Sequence, residues 1–259
     1  METIRVALVT GASSGLGRAF AEAVLRDRPD MQELWVVARR LERLQELARE
    51  HPDRTVRCIA ADLADERGLL AVDDELRRRQ PSLALLVNNA GIEGDGRFWE
   101  VEKDRMKAMM RLNAEAPMTL CYLAIPYMKR GAQIINVSST AGFCPLPAMT
   151  EYSATKAFLT TLTEGLRAEL RPLGINALAL CPGNMDTEMN PAERPVGGDS
   201  GTQSSRLPFV SCELIARRAL ERSSAGRGFY TPGAFYKAYR LAMKLVPHNV
   251  ARAVSPRFF

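Results

Sequence analysis

Short apolar runs alternate along the chain with segments in which apolar residues return every three or four positions. "IRVALVT" leads into a glycine-rich loop and a helix to about Arg28. "ELWVVA" precedes "RRLERLQELARE", in which Leu41, Leu44 and Leu47 share one helical face. "TVRCIAAD" precedes a helix of mixed charge through Arg79. "LALLVNNAG" precedes helices across Lys103 to Met128, and "QIINVSSTAG" a long helix from about Glu151 to Leu170. "INALALCPG" leads into a polar, glycine-rich insert. Strands that are apolar throughout are buried on both faces, which predicts a parallel sheet under helices. No break in composition precedes about residue 183, so a single α/β domain is expected over 1–259. It carries a substrate loop at about 185–208 and a C-terminal helical extension at about 234–259.

Composition narrows the function. The chain has 259 residues, 46% hydrophobic and 25% charged, as in an ordinary globular protein. No apolar run reaches the roughly 18 residues that span a bilayer. "METIRVALVTG" enters a strand pattern at once, so no signal peptide is expected. Cys58, Cys121, Cys144, Cys181 and Cys212 are scattered singly, which points to a reducing, cytoplasmic setting and away from disulfides or a Cys-x-x-Cys metal site. His51 and His248 are the only histidines, too few for a three-histidine metal site, and no metal is expected. The net charge of +5 comes from arginines interleaved with acids on helix faces, without a basic stripe, so nucleic acid is not an expected partner.

The loop "TGASSGLG" admits two readings. Gly11-Ala12-Ser13-Ser14-Gly15 fits G-x-S-x-G, the elbow of a hydrolase nucleophile. Such an elbow needs an oxyanion-hole donor from an earlier strand-helix loop, and this one follows the first strand. The alternative is a phosphate cradle: a tight turn at Gly11, close backbone approach at Gly15, helix-strand contact at Gly17, and a helix N-terminus facing the pyrophosphate. The second strand then separates the dinucleotides. An NAD site places an acid at its end and an NADP site an arginine. Here Ala38 is followed by Arg39 and Arg40. Two cations at a helix N-terminus oppose the macrodipole, which favours a bound anion. NADP(H) is therefore preferred, with NAD(H) possible.

Seven short motifs follow in order: "TGASSGLG" at Thr10–Gly17, Asp62–Leu63, "NNAG" at Asn88–Gly91, Asn113, "NVSS" ending at Ser139, "YSATK" at Tyr152–Lys156, and Pro182–Gly183 followed by Thr187. In these the chain resembles the short-chain dehydrogenase/reductase family over nearly its whole length. The resemblance implies a Rossmann-like doubly wound parallel sheet flanked by helices, a three-layer sandwich, and a homodimer or homotetramer. It implies Asn113, Ser139, Tyr152 and Lys156 as the catalytic set. Cofactor contacts are expected from Gly11, Ser13, Ser14, Gly15, Leu16, Gly17, Arg39, Arg40, Asp62, Leu63, Asn89, Ala90, Gly91, Pro182, Gly183 and Thr187, together with Tyr152 and Lys156.

The residues themselves support oxidoreductase chemistry. Reducing a ketone needs a hydride and a proton for its oxygen. Tyr152 and Lys156 are i and i+4 on one helix and share a face. A free phenol titrates near ~10, and a neighbouring ammonium together with the positive nicotinamide of the oxidised cofactor is expected to lower that value and make Tyr152 a usable acid or base. Ser139, thirteen residues before the tyrosine, can donate to the substrate oxygen. Asn113, by resemblance, holds a water that links Lys156 to solvent. Asp62 is expected at the adenine amino group, the alternative being a cap for a helix starting near Ala64. The amides of "NNAG" are expected to pin the central loop.

Phe143, Cys144, Leu146 and Met149 lie between Ser139 and Tyr152, and with Met185 they are the expected substrate contacts. Being apolar, they favour a steroid-like, fatty or aromatic carbonyl compound. An acyl-carrier-protein ketoreductase is an alternative, weakened by Leu173 where those enzymes carry a basic residue. A non-catalytic redox sensor is another, disfavoured because the catalytic set is complete. In the tail, Phe235, Tyr239, Ala242 and Val246 form an apolar stripe, with Lys237, Arg240 and Lys244 on another face. Packing over the cleft or on a neighbouring subunit is expected ahead of peripheral membrane contact.

Overall fold

The computed structural model describes residues 3–188 and 207–246. Most of the expected substrate loop and the tail beyond Val246 lie outside these residues.

Seven parallel strands form one sheet: β1 (Arg5–Thr10), β2 (Glu33–Ala38), β3 (Thr55–Ala60), β4 (Ser82–Asn88), β5 (Gln133–Val137), β6 (Asn176–Leu180) and β7 (Phe229–Tyr230). Their spatial order is β3-β2-β1-β4-β5-β6-β7. The chain builds outward from β1, returns to place β4 beside it, and builds the other way. That reversal leaves a crevice at the carboxyl ends of β1 and β4, where open α/β sheets take ligands.

Alternation along each strand makes two cores. Ala7 and Val9 of β1 join Val36, Leu85 and Leu178 under α1 (Gly15–Asp27), α2 (Leu41–Glu50) and α7 (Cys212–Ser224). Val6 and Leu8 join Trp35, Leu83 and Ile134 on the other face, under α3 (Glu66–Arg79), α5 (Ala116–Ala124) and the end of α6 (Thr150–Leu170). The sheet is thus the middle of three layers.

The stretch expected to be helical from Lys103 to Met128 is subdivided. α4 (Lys103–Met110) passes through a π-helical turn (Arg111–Glu115) into α5, and a short 3₁₀ turn (Ile125–Tyr127) ends it. Single π turns inside helices often occur at functional sites, and this one carries Asn113.

The C-terminal helix α8 (Ala234–Leu245) packs on its own domain, but its inward stripe differs from the expected one. Tyr236 and Tyr239 are buried, and Met243 and Val246 pack in the same cluster, whereas Phe235 and Ala242 are exposed. The reason is local: the Tyr236 ring fills the space beside Gly183, where an added Cβ would lie 2.0 Å from the ring. Its hydroxyl donates to the Pro208 carbonyl at 2.8 Å and accepts from the Asn184 N–H at 3.0 Å.

Candidate active site

A cavity of about 650 Å³ opens at the carboxyl ends of β1, β4 and β5. Its first wall is the glycine loop. Gly11 has φ +68°, and a Cβ there would lie 2.7 Å from the Asn89 amide nitrogen. A Cβ on Gly17 would lie 2.2 Å from the Gly11 carbonyl, so Gly17 serves the helix-strand contact and does not line the cavity. The loop is held from β4. Thr10 Oγ1 accepts from the N–H groups of Asn89 and Ala90, and Asn89 Nδ2 donates to the Thr10 carbonyl. Asn88 donates instead to Asn136 and Pro117, tying β4 to β5 and α5. Ser14 caps α1 without a side-chain hydrogen bond to the helix. A glycine-rich cradle in front of a helix N-terminus, with the small side chains of Ser13 and Ser14 beside it, fits a dinucleotide pyrophosphate.

Arg39 and Arg40 part company at the second strand. Arg40 Nη2 donates to Ser13 Oγ at 3.1 Å and to Ser14 Oγ at 2.9 Å, and its Nη1 donates to Glu188 at 3.0 Å. Glu188 also pairs with Arg43. These two guanidinium groups hold its carboxyl below the usual carboxylate range. An anion was expected at this helix start, and in the structure Glu188 supplies it. Arg39 is 70% exposed and reaches Asp62 only at 4.0 Å. Asp62 lines the cavity and accepts from the Ala64 N–H, while the cap of α3 is Asp65. Leu16, Leu63, Ala90, Pro182, Gly183 and Thr187 also line the cavity.

Ser139, Tyr152 and Lys156 converge at its inner end. Ser139 follows β5, accepts from the Ala141 N–H, and stands within hydrogen-bonding reach of the Tyr152 phenol. Ser138, its neighbour, is buried and bonded to the Lys156 carbonyl and Thr160 of α6. Lys156 Nζ donates to the Val137 carbonyl at 3.0 Å and lies 5.7 Å from the centre of the Tyr152 ring. Asn113 does not line the cavity. Its amide donates to the Ile92 carbonyl at 2.8 Å and accepts from the Ile92 N–H at 2.9 Å. Gly91 runs between the two: a Cβ there would lie 3.0 Å from Asn113 Oδ1 and 3.5 Å from Lys156 Nζ.

The family described as short chain dehydrogenase matches residues 5–196. The chain belongs to that family. A short-chain dehydrogenase from Sphingobium yanoikuyae, solved in complex with NADPH, is 30% identical, with 93% of this chain and 92% of that one covered and a TM-score of 0.77. The bulky-bulky ketone specific alcohol dehydrogenase from Comamonas testosteroni is 28% identical, with 95% and 96% covered and a TM-score of 0.73. Sulfoacetaldehyde reductase 2 from Chromohalobacter salexigens is 32% identical over 205 residues, 77% of this chain and 79% of that protein.

In this dehydrogenase the electrostatics of the tyrosine differ from the expectation that Lys156 lowers it. Burial pushes the Tyr152 phenol up, the charge of Glu93 adds to the rise, and only the hydrogen bond from Ser139 opposes it. Burial pushes Lys156 down to about 8, with Glu93 and Cys181 acting the other way. Desolvation dominates both groups, and no effect of the Lys156 ammonium on the phenol stands beside it.

The substrate wall also needs correction. Met149 and Met185 line the cavity, joined by Leu207. Phe143, Cys144 and Leu146 do not. The chain after Ser139 turns beneath α8, where these side chains bury that helix: Cys144 Sγ lies 2.8 Å from Tyr239 Oη, and the Phe143 and Tyr239 rings are 6.4 Å apart. Glu93, Asp95 and Arg105 line the cavity as well and formed no part of the expected site. They sit in "GIEGDGRF" and on α4, without a spacing that would mark them in the sequence.

Proposed function

We propose that this dehydrogenase uses NADP(H) to interconvert a ketone and a secondary alcohol, on a substrate with a bulky hydrophobic body. The observation that carries the reading is the Tyr152 phenol, flanked by Ser139 and the buried Lys156 at one end of the cavity, with Arg40 at the other. The Sphingobium relative's NADPH and the Comamonas relative's bulky ketones support the cofactor and substrate classes.

When bound, the nicotinamide supplies the hydride. The chain does the rest. Arg40, at the start of α2, would hold the 2′-phosphate. Ser139 donates to the substrate oxygen where negative charge develops. Tyr152 gives that oxygen its proton. Lys156 recharges Tyr152 and holds the ribose, and Asn113 positions both by fixing the backbone beside Gly91. Met149, Met185 and Leu207 face the body of the substrate and exclude water from it.

The dehydrogenase works as a homo-oligomer. Support comes from apolar side chains left exposed on neighbouring helices: Tyr122 and Met118 on α5, and Phe158 on α6. No helix among the described residues is long and apolar enough to cross a membrane. The inward packing of α8 supports a role beside the cleft ahead of peripheral membrane contact.

The test is a panel of hydrophobic ketones with NADPH and NADH, run on wild type and Tyr152→Phe. The variant should bind NADPH normally and lose about 10²–10⁴-fold in turnover. Carbonyl-dependent NADPH oxidation that survives Tyr152→Phe would refute the mechanism.

A further inference from the structure

Met149, Met185 and Leu207 line the cavity, and no residue of α8 does. All three nevertheless lean on that helix or follow on from residues bonded to it. Met149 packs with Tyr239 in the cluster beneath α8. Met185 comes directly after Asn184, and Leu207 directly before Pro208. The hydroxyl of Tyr236 joins those two neighbours: it accepts from the Asn184 N–H at 3.0 Å and donates to the Pro208 carbonyl at 2.8 Å. One backbone bond runs beside it, from the Val210 N–H to the Asn184 carbonyl at 3.0 Å. The two stems of the substrate loop are thereby closed on each other, with α8 as the third member of the knot.

Tyr236 is fully buried and its ring is wedged in place. A Cβ on Gly183 would lie 2.0 Å from the ring, and one on Gly233, at the start of α8, 3.3 Å from it. Phenylalanine would fill that slot as well. A buried hydroxyl costs free energy unless it is bonded, so packing does not explain it. What the hydroxyl adds is the bridge between the stems. The bridge bears on the reacting end too, because the Pro182 carbonyl accepts from the N–H of Thr140, the residue after Ser139, at 2.9 Å. On the cofactor side Thr187 rests on the glycine loop, where a Cβ on Gly15 would lie 3.2 Å from its methyl group.

We infer that Tyr236 is a positioning residue for the substrate wall. Acting through Asn184 and Pro208, its hydroxyl fixes Met185 and Leu207 against the body of a bulky ketone, and the preference for such a ketone over a small one depends on it. Closing a long loop costs chain entropy, and a wall made from its two stems is only as well defined as their junction. The inference rests on the ketone reductase reading above and adds to it a residue outside the cavity.

The experiment compares valerophenone with 2-butanone, using wild type, Tyr236→Phe and Arg240→Ala. Arg240→Ala removes the guanidinium that lies 3.4 Å from the centre of the Phe229 ring, and so loosens α8 without touching either stem. In Tyr236→Phe the KM for valerophenone should rise about five- to thirtyfold, the worth of one or two hydrogen bonds. Its kcat should hold, because Lys156 is held by the Val137 carbonyl of β5 and not by α8. 2-Butanone, too small to span the wall, should keep both constants, so the preference for the bulky ketone falls by the same factor. Arg240→Ala should keep the wild-type preference. A folded Tyr236→Phe that keeps it, or an Arg240→Ala that loses it equally, overturns the inference. Hydrogen exchange gives a second readout that needs no turnover. In wild type the amides of Asn184 and Val210 should open together with α8, with the same dependence on denaturant. In Tyr236→Phe they should exchange faster while the α8 amides stay protected. Stem amides that open independently of α8 in wild type overturn the inference even if the variant does not fold. If neither ketone consumes NADPH, the ketone reading fails, and exchange alone then decides whether Tyr236 pins the stems.

Discussion

Arg40 reaches back from the start of α2 to the hydroxyl of Ser14, 2.9 Å from its Nη2, and so joins the end of the second strand to the glycine loop. Arg39, one residue away, also lines the cavity, but it is largely exposed and approaches only Asp62, at 4.0 Å. The two arginines therefore differ in what they do for the cofactor. Arg40→Ala should weaken NADPH about 10- to 100-fold, the worth of charged hydrogen bonds, and leave NADH nearly untouched. Arg39→Ala should cost NADPH no more than a few-fold, as exposed ion pairs do. Calorimetric titration of all four combinations checks this; equal losses for the two cofactors would contradict a phosphate role.

Glu188 occupies Arg40 and Arg43 from the far side of the loop. A 2′-phosphate must compete with it. Glu188→Gln should tighten NADPH by about two- to five-fold and do nothing for NADH, since an exposed ion pair contributes little. The gain should shrink in high salt. Weaker NADPH binding in the variant would show that Glu188 helps to hold the cofactor.

Tyr236 and Gly183 share one space. Tyr236→Phe loses a donor to Pro208 and leaves the Asn184 N–H unmet, at a cost of about 1–3 kcal/mol in denaturant unfolding. Gly183→Ala forces the ring away and should cost more, with α8 loosened. Protection of the α8 amides against hydrogen exchange reads that directly, and unchanged protection in Gly183→Ala would disprove the docking.

Lys156 is buried and titrates at about 8 rather than 10.5. Between those values the unfolded chain binds more protons than the folded one, so the contribution of this residue to stability rises with pH across that window. Relative to Lys156→Met, wild type should gain stability from about pH 8 towards 10.5. A flat difference across that range, measured by urea unfolding, would mean that the lysine is not desolvated.

Much of this site was legible because its signals are local. Gly11, Gly15 and Gly17 are read from spacing, and Tyr152 and Lys156 from one helical turn. What needed the fold were contacts that any amphipathic pattern leaves open. In α8 the series Phe235, Tyr239, Ala242, Val246 and the series Tyr236, Tyr239, Met243, Val246 both fit a helical period. Only the space beside Gly183 decides between them. Phe143, Cys144 and Leu146 were expected to face the substrate because they are apolar, and they pack under α8 instead; apolarity does not say whether the thing covered is a substrate or a helix. Glu93 was invisible because one carboxylate in a loop has no pattern; only the fold places it in the cavity wall.

The π-helical turn at Arg111–Glu115 acts as a phase shift in a single rod. A regular helix advances about 100° per residue, and one widened turn resets that angle for everything beyond it. Ahead of the turn, Arg105 is aimed at the cavity mouth; behind it, Leu120, Cys121 and Ala124 are aimed at the sheet. One rod thereby serves two directions, and Asn113 sits at the change of phase. Deleting a single residue there would leave a longer, more regular helix whose two ends could no longer both face home.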